Sequence, residues 1–270
     1  KASRNEYDAV VVGSDQLWLP SNVIADYYTL NWVPKEVKKI AYATSFGIGS
    51  IPAKYKKVYS NYLRRIDYLS ARETSGQEII KELTDKKVPL VNDPALLLDA
   101  EGWNEIVSRK PFIKDKYVFC YFMGNNPEQR EFVKRLAKEK GLKIVALLHL
   151  DQYIASDEHY VELAPWHVSP ADFVNLVKNA ECVCTDSFHG TVFSIIYSRP
   201  FFTFKRFNRK ASLSTNTRIT SLLTRLDLME RLVTNMNVKP IFDIDWTRIQ
   251  DGVSEFRNAS SEYFLNAIRA

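Results

Sequence analysis

Short apolar or β-branched runs alternate along this chain with segments whose apolar residues recur at helical spacing. That alternation predicts an α/β protein built on parallel sheets. Residues 7–12 (YDAVVV) read as a buried strand ended by Gly13, and residues 39–43 as a second strand ended by the small-residue turn 44–49. Residues 54–66 place Tyr55, Val58, Tyr59, Tyr62, Leu63 and Ile66 on one helical face. Residues 68–71 form a third strand, 74–83 a second helix, and 88–91 a strand-like run stopped by Asn92-Asp93-Pro94.

A second series repeats the pattern. Strand 117–122 leads to a helix from Pro127 to Lys140, with Pro127 suited to the first helical turn and Gly141 to the stop. Strand 143–148 is followed by a helix that Ser169 caps and Pro170 opens, with Phe173, Val174, Leu176 and Val177 on its apolar face. Strand 182–184, helix 190–197 and strand 201–204 follow, and residues 217–226 and 253–268 are helical. Two α/β series joined near 108–115 result. The first begins at residue 7 on a central-looking strand, whereas a Rossmann-like half places at least one βα unit earlier. An incomplete N-terminal domain is therefore expected.

Composition narrows the class. With 46% hydrophobic residues and only 9 glycines and 11 prolines in 270 residues, a disordered or fibrous chain is excluded. No apolar run approaches the roughly 18 residues of a membrane span. The opening KASRNEYDAV has neither Met nor an apolar secretory core, so a trimmed chain without a signal peptide is expected. Cys120, Cys182 and Cys184 form no CxxC pair and no even disulfide set, which suits a reducing cytoplasm, and Cys182 and Cys184 share one face of a strand as core residues.

The charge is unevenly placed. Between Arg199 and Leu226 lie seven basic residues (Arg199, Lys205, Arg206, Arg209, Lys210, Arg218, Arg225) and no acid; the rest of the chain carries 30 basic against 32 acidic residues. A local surplus suits an anionic small molecule, lipid head group or glycan better than nucleic acid.

The strongest local candidate for chemistry is ECVCTDSFHGTVFSIIYS, residues 181–198. A strand ends at Cys184, the polar turn Thr185-Asp186-Ser187-Phe188-His189-Gly190 follows, and a helix begins at once. Such turns lie at the carboxyl edge of a parallel sheet, where α/β proteins bind ligands. Helix-start amides favour phosphate or carboxylate, Gly190 would let a ligand approach, Ser187 can donate a hydroxyl, and His189 can act as acid or base. The plainer alternative is that Asp186 or Ser187 caps the helix and His189 packs at its start. Arg218, in the polar run Ser214-Thr215-Asn216-Thr217-Arg218, is the favoured anion contact of the basic stretch. In the first series Ser14 and Asp15 follow the first strand; Asp15 can hold or deprotonate a hydroxyl, or cap a helix. Ser45-Phe46-Gly47 can line the same edge with backbone N–H groups. Arg72 can reach an anion, or pair with Glu73 or Asp67.

Other signals are weak. Asp243-Ile244-Asp245 has the DxD form of some metal sites, but that spacing is common by chance. The four histidines lack zinc spacing, and no metal is expected. Neither GxxxxGK[ST] nor GxGxxG occurs, which counts against an ATPase or a dinucleotide enzyme.

Taken in order, VVVGSDQLW, AYATSFG, LSARE, NDPALLLDAEGW, SPADFVNLVKNAECVCTDSFHGTVFSIIYSRPF and the later R-x-x-x-LL-x-x-L of residues 218–226 resemble the polysaccharide pyruvyl transferase family. The resemblance runs from about Tyr7 to the C-terminal helix, and its most specific part is DSFHG. It implies two Rossmann-like domains in a GT-B-like arrangement: a partial N-terminal domain at 1–110 on the acceptor side, a C-terminal domain at 111–250 on the donor side, and a helix at 251–270 crossing back. It implies transfer of a pyruvyl group from phosphoenolpyruvate to a sugar as a ketal, with release of phosphate and with no cofactor beyond that donor. By the same resemblance His189 is the proton donor, Ser187 and Gly190 hold the phosphate with Asp186 beside them, and Arg72 clamps the donor. Asp15, with Ser14 and Ser45 on its edge, contacts the acceptor hydroxyl, and Arg218 and Asn216 complete the binding set. The acceptor is a saccharide or lipid-linked oligosaccharide; a lipid-linked one would bring a cytoplasmic enzyme to the inner membrane face. A GT-B glycosyltransferase with a nucleotide-sugar donor and a non-catalytic glycan-binding relative are the competing readings.

Overall fold

The computed structural model describes residues 7–23, 26–206 and 217–270. These fall into two compact units. The first contains the described residues up to Leu97, residues 217–222 and Gly252–Ala270; the second contains 98–206 and Leu223–Asp251.

In the first unit β1 (Ala9–Val12), α1 (Pro20–Val23), β2 (Lys38–Thr44), α2 (Ala53–Arg65), β3 (Tyr68–Ala71) and α3 (Thr74–Thr84) follow in order. The strands form a parallel sheet in the order β1-β2-β3. The register slips between Ala41 and Thr44, where Ala43 takes a left-handed φ of 53°. The Ser70 hydroxyl fills the gap, donating to Ala41 O at 2.9 Å and accepting from Ala43 N at 3.0 Å. The side chain thus replaces ladder bonds that the irregularity removes.

Trp18, Phe46, Tyr59 and Tyr62 are all fully buried, and Trp18 lies 5.2 Å from Phe46 and 5.5 Å from Tyr62 between ring centroids. The Tyr59 hydroxyl donates to Trp18 O at 2.6 Å. Truncating one such ring costs about 3–5 kcal/mol. Because Trp18 sits only three residues beyond Asp15, this aromatic core also pins the loop that leaves β1. Residues 88–91, expected to be strand-like, make only the isolated bridge Ala71↔Leu90. Pro89 accepts from Ala71 N but has no N–H of its own with which to extend a ladder.

In the second unit α4 (Ala100–Trp103), β4 (Tyr117–Tyr121), α5 (Pro127–Lys140), β5 (Lys143–Leu147), α6 (Pro170–Asn179), β6 (Cys182–Thr185), α7 (Phe188–Ile196), β7 (Phe201–Phe204) and β8 (Leu232–Val233) follow, while α8 (Thr217–Arg225) and α9 (Trp246–Arg269) each have residues in both units. The five strands are parallel in the order β5-β4-β6-β7-β8. The predicted helix ends are built as read: Ser169 and Asp172 form a reciprocal capping box, and Gly141 stops α5 in the left-handed region. Cys120, Cys182 and Cys184 are buried in one apolar cluster, and burial pushes the Cys182 thiol up to about 12. Thiolate chemistry is suppressed at all three, since burial raises the other two as well.

Three boundaries differ from the sequence reading. Residues 98–115, including the expected junction, group with the second unit, because Trp103 packs edge-on against Phe193 and the Asn175 amide donates to Ser108 O and Lys110 O. Residues 217–222, expected within 111–250, group with the first unit, where Thr74 N donates to Ser221 Oγ. Helix α9 begins at Trp246 rather than 253, since Asp245 Oδ1 accepts from Arg248 N and caps it. That contact also gives the DxD motif a structural use. Its residues up to Asp251 belong to the second unit and those from Gly252 onward to the first. Among the described residues no helix is long and apolar enough to cross a membrane.

Candidate functional site

Each unit carries a polar cluster at the carboxyl edge of its parallel sheet. In the first, the carboxyl ends of β1 and β3 bring Ser14, Asp15 and Arg72 together with Asp93, and α8 adds Arg218. Arg72 Nη1 donates to Asp93 Oδ2 at 2.5 Å and to Ser14 Oγ at 3.0 Å, while Ser14 Oγ donates to the same Asp93 oxygen at 2.8 Å. Both charged side chains are almost wholly buried, at 2% and 3% exposure. Asp15 differs: its carboxylate is 62% exposed, and Oδ1 lies 3.5 Å from Arg72 Nη2 and 3.4 Å from Arg218 Nη1. Its φ of 73° is left-handed, and its carbonyl accepts from Ser45 N at 3.0 Å.

Two expectations change here. Ser45 is fully buried, and its hydroxyl donates to Glu73 Oε1 at 2.9 Å. Phe46 N donates to that same oxygen, and Gly47 N donates to Ser45 Oγ. The SFG turn therefore spends its N–H groups on Asp15 O, Glu73 Oε1 and Ser45 Oγ instead of lining a binding edge. Arg72 pairs with Asp93 and Asp15, not with Asp67, whose carboxylate takes Lys39 N. Asn216, Arg209 and Lys210 lie outside the described residues.

Glu73, not singled out in the sequence, is buried with its Oε2 unbonded. Burial raises its carboxyl above the usual value, opposed by Arg72, by the Ser45 hydroxyl, by Arg218 and by Phe46 N–H. The native state therefore holds this proton to higher pH than the unfolded chain does, and its contribution to stability falls as pH rises past the ordinary glutamate range. Glu73→Gln keeps an oxygen for Ser45 and Phe46 and removes the ionisation. The melting-temperature difference, variant minus wild type, should be near zero at pH 4 and grow positive towards pH 8. A difference that is flat or shrinks with pH would contradict this account of Glu73.

In the second unit the strand order reverses about β4, with β5 on one side and β6 on the other. The carboxyl ends of β4 and β6 thus flank a topological switch point, where open α/β sheets bind ligands. Asp186 closes its base: it accepts from Met123 N at 2.6 Å and Gly124 N at 2.9 Å, with Arg206 Nε 3.9 Å away. Burial raises the Asp186 carboxyl, opposed mainly by the Met123 amide and Arg206. Gly124 is required because a Cβ there would lie 2.8 Å from Asp186 Oδ2.

Helix α7 starts at Phe188, two residues earlier than expected, so His189 and Gly190 lie in its first turn. Ser187 is its N-cap, accepting from Gly190 N at 3.3 Å. Thr185 fixes the turn from below, donating to Tyr121 O and accepting from Ser187 N. The neighbour that demands glycine at 190 is this threonine, whose Oγ1 would lie 2.6 Å from an added Cβ, so close packing on Thr185 explains Gly190 without a ligand. Asp186, Ser187, Phe188 and Gly190 are buried; His189 alone in the DSFHG run is partly exposed, set edge-on to Phe188. The site therefore places a partly exposed histidine at the positive end of a helix. Gly124, Asp93 and Glu73 take part although the sequence singles none of them out as a site residue: Glu73 stands there as a possible partner of Arg72, and Asp93 within the Asn92-Asp93-Pro94 stop and the NDPALLLDAEGW motif. Among the described residues no group of three or more His, Cys, Asp or Glu side chains is placed to hold a metal ion.

A sequence model described as polysaccharide pyruvyl transferase matches residues 1–206. Among curated proteins no match was found. Among solved structures, the UDP-GlcNAc 2-epimerase of Neisseria meningitidis bound to UDP-GlcNAc is similar, with TM-score 0.52 and 14% identity over 97% of this chain and 76% of that one. The UDP-N-acetylglucosamine 2-epimerase of Rickettsia bellii gives TM-score 0.51 and 13% identity over 97% and 74%. At such identities the likeness shows the fold, which is of the GT-B type: mixed α/β with parallel sheets.

Proposed function

This chain belongs to the polysaccharide pyruvyl transferase family, and on that premise we propose that it transfers a pyruvyl group from phosphoenolpyruvate to two hydroxyls of a saccharide, forming a ketal and releasing phosphate. The observation that carries this reading is the partly exposed His189 in the first turn of α7, at the switch point of the second unit's sheet. The reaction needs one acid able to protonate a carbon near neutral pH, and an imidazole suits that demand.

His189 gives a proton to the methylene carbon of phosphoenolpyruvate, turning it into a methyl group. The neighbouring carbon, made electron-poor, bonds to the first sugar oxygen, whose proton returns to the imidazole. The second sugar oxygen then displaces phosphate at that carbon, and the proton it loses leaves with the phosphate. The Ser187 hydroxyl accepts from Gly190 N and keeps its own proton as a donor for an anionic oxygen. The positive end of α7, where His189 and Ser187 stand, suits the donor's carboxylate and phosphate.

Incubation with phosphoenolpyruvate and a panel of saccharides, followed by phosphorus and proton NMR, tests the reading. Inorganic phosphate should appear only when both substrates are present, together with a new ketal methyl signal on the saccharide. Consumption of a UDP-sugar with phosphoenolpyruvate untouched would replace this reading by a glycosyltransferase. Saccharide binding without consumption of either donor would replace it by a glycan-binding function.

A further inference from the structure

Residues 26–33 of the first unit carry three exposed aromatic rings on a tightly bonded loop. Tyr27 is 65% exposed, Trp32 49% and Tyr28 36%. Tyr27 and Trp32 stack at an interplanar angle of 25° with centroids 6.2 Å apart, and Tyr28 stands edge-on to Tyr27 at 5.1 Å. The backbone beneath the rings is held at several points. Asp26 Oδ1 accepts from Thr29 Oγ1 at 2.5 Å and from Asn31 Nδ2 at 2.7 Å, and Trp32 Nε1 donates to Tyr27 O at 2.9 Å. Arg65 donates to Asn31 O and Val33 O, and Trp18 donates its indole N–H to Tyr28 O at 3.1 Å. Asp26 and Leu30 take left-handed φ values of 56° and 57°, and the Leu30 side chain is buried in the core. The loop thus accepts unfavourable backbone geometry that keeps a leucine inside and three aromatic rings outside.

We propose that Tyr27, Tyr28 and Trp32 form a stacking platform for a saccharide, gripping the acceptor by its ring faces rather than by its reacting hydroxyls. Area and charge select this occupant. A Tyr or Trp side chain offers about 150–250 Å² when fully used, so at these exposures the three together offer roughly 300 Å². That is well short of the ~800 Å² that each partner gives to a stable protein interface, and it matches one or two sugar rings. A contiguous patch of this size on a single chain is more often functional than incidental. Within residues 19–37 the charged side chains are Lys35 against Asp26 and Glu36, so the loop lacks the basic cluster that an anionic membrane attracts. A pyranose presents C–H bonds on its ring face, and their partial positive charge is drawn to the negative face of an aromatic ring. Rings already fixed in place lose little conformational freedom when such a face settles on them. The inference rests on the proposed reading for its occupant, the saccharide acceptor.

The test leaves phosphoenolpyruvate out. The protein is applied to an array of bacterial polysaccharides and their oligosaccharide repeats, and the best-bound oligosaccharide is then titrated by calorimetry. Tyr27→Ala keeps the backbone carbonyl that Trp32 bonds and removes only the ring, so it should weaken binding about tenfold. Tyr27→Phe keeps the ring and should stay within about twofold of wild type. Trp166→Ala, at an indole 74% exposed in the second unit, should bind as wild type does. Circular dichroism checks that each variant is folded. Unchanged affinity in Tyr27→Ala, an equal loss in Tyr27→Phe or Trp166→Ala, or no saccharide bound on the array overturns the proposal. So does Tyr27-dependent binding to neutral or anionic lipid vesicles in place of a saccharide, which would make the loop a membrane contact. Ring-dependent binding in a protein that moves no pyruvyl group upholds the platform and rejects only the transfer reaction. Pyruvyl transfer to a saccharide that Tyr27→Ala binds as tightly as wild type does the reverse.

Discussion

Arg72→Ala should cost about 3–5 kcal/mol of stability, because it leaves the Asp93 carboxylate buried without its cation. The family resemblance, by which Arg72 clamps the donor, implies that this substitution mainly weakens donor binding. The structure changes that expectation: a guanidinium 2% exposed and bonded to Ser14 and Asp93 supports the fold before it meets any substrate. Arg72→Lys keeps the charge but not the planar fork, so it should lose less stability while still losing the arm that reaches Asp15. Urea unfolding of the two variants checks this. A loss below about 1 kcal/mol for Arg72→Ala would show that Asp93 does not depend on this partner.

His189→Ala should lower turnover by about 10²–10⁴-fold, the usual weight of a positioned acid or base, with little change in melting temperature. The small stability effect follows from position. His189 is partly exposed in the first turn of α7, whereas Ser187 and Thr185 make the bonds that start the helix. Steady-state kinetics beside a melting curve separates the two quantities. Near-normal turnover in the folded variant would remove His189 from the reaction; a large drop in melting temperature would make its role structural.

Much of this was legible in the sequence because it rests on local signals. Ser169-Pro170, Asn126-Pro127 and Gly141 mark helix ends through caps that need only neighbouring residues, and α5 and α6 start and stop where those residues stand. Residues 181–198 announced a strand, a polar turn and a helix, and Cys182 and Cys184 announced one apolar face. Contacts between distant residues were not legible. Ser14 and Asp93 are 79 positions apart, and nothing in either neighbourhood says that they share Arg72. Ser45 looked like an edge residue because the sequence does not show that Glu73 turns inward to take its hydroxyl. Gly190 looked like room for a ligand, since the closeness of Thr185 depends on how α7 leans on β6. Asp15 was read as a lone carboxylate, and only the fold shows the two arginines that meet it.

The central claim is that the donor is phosphoenolpyruvate, and direct calorimetric titration of the folded protein tests it best. Phosphoenolpyruvate should bind in the micromolar-to-millimolar range common for enzyme substrates, more tightly than phosphate or pyruvate. Absence of phosphoenolpyruvate binding in a protein that binds a UDP-sugar would contradict the account.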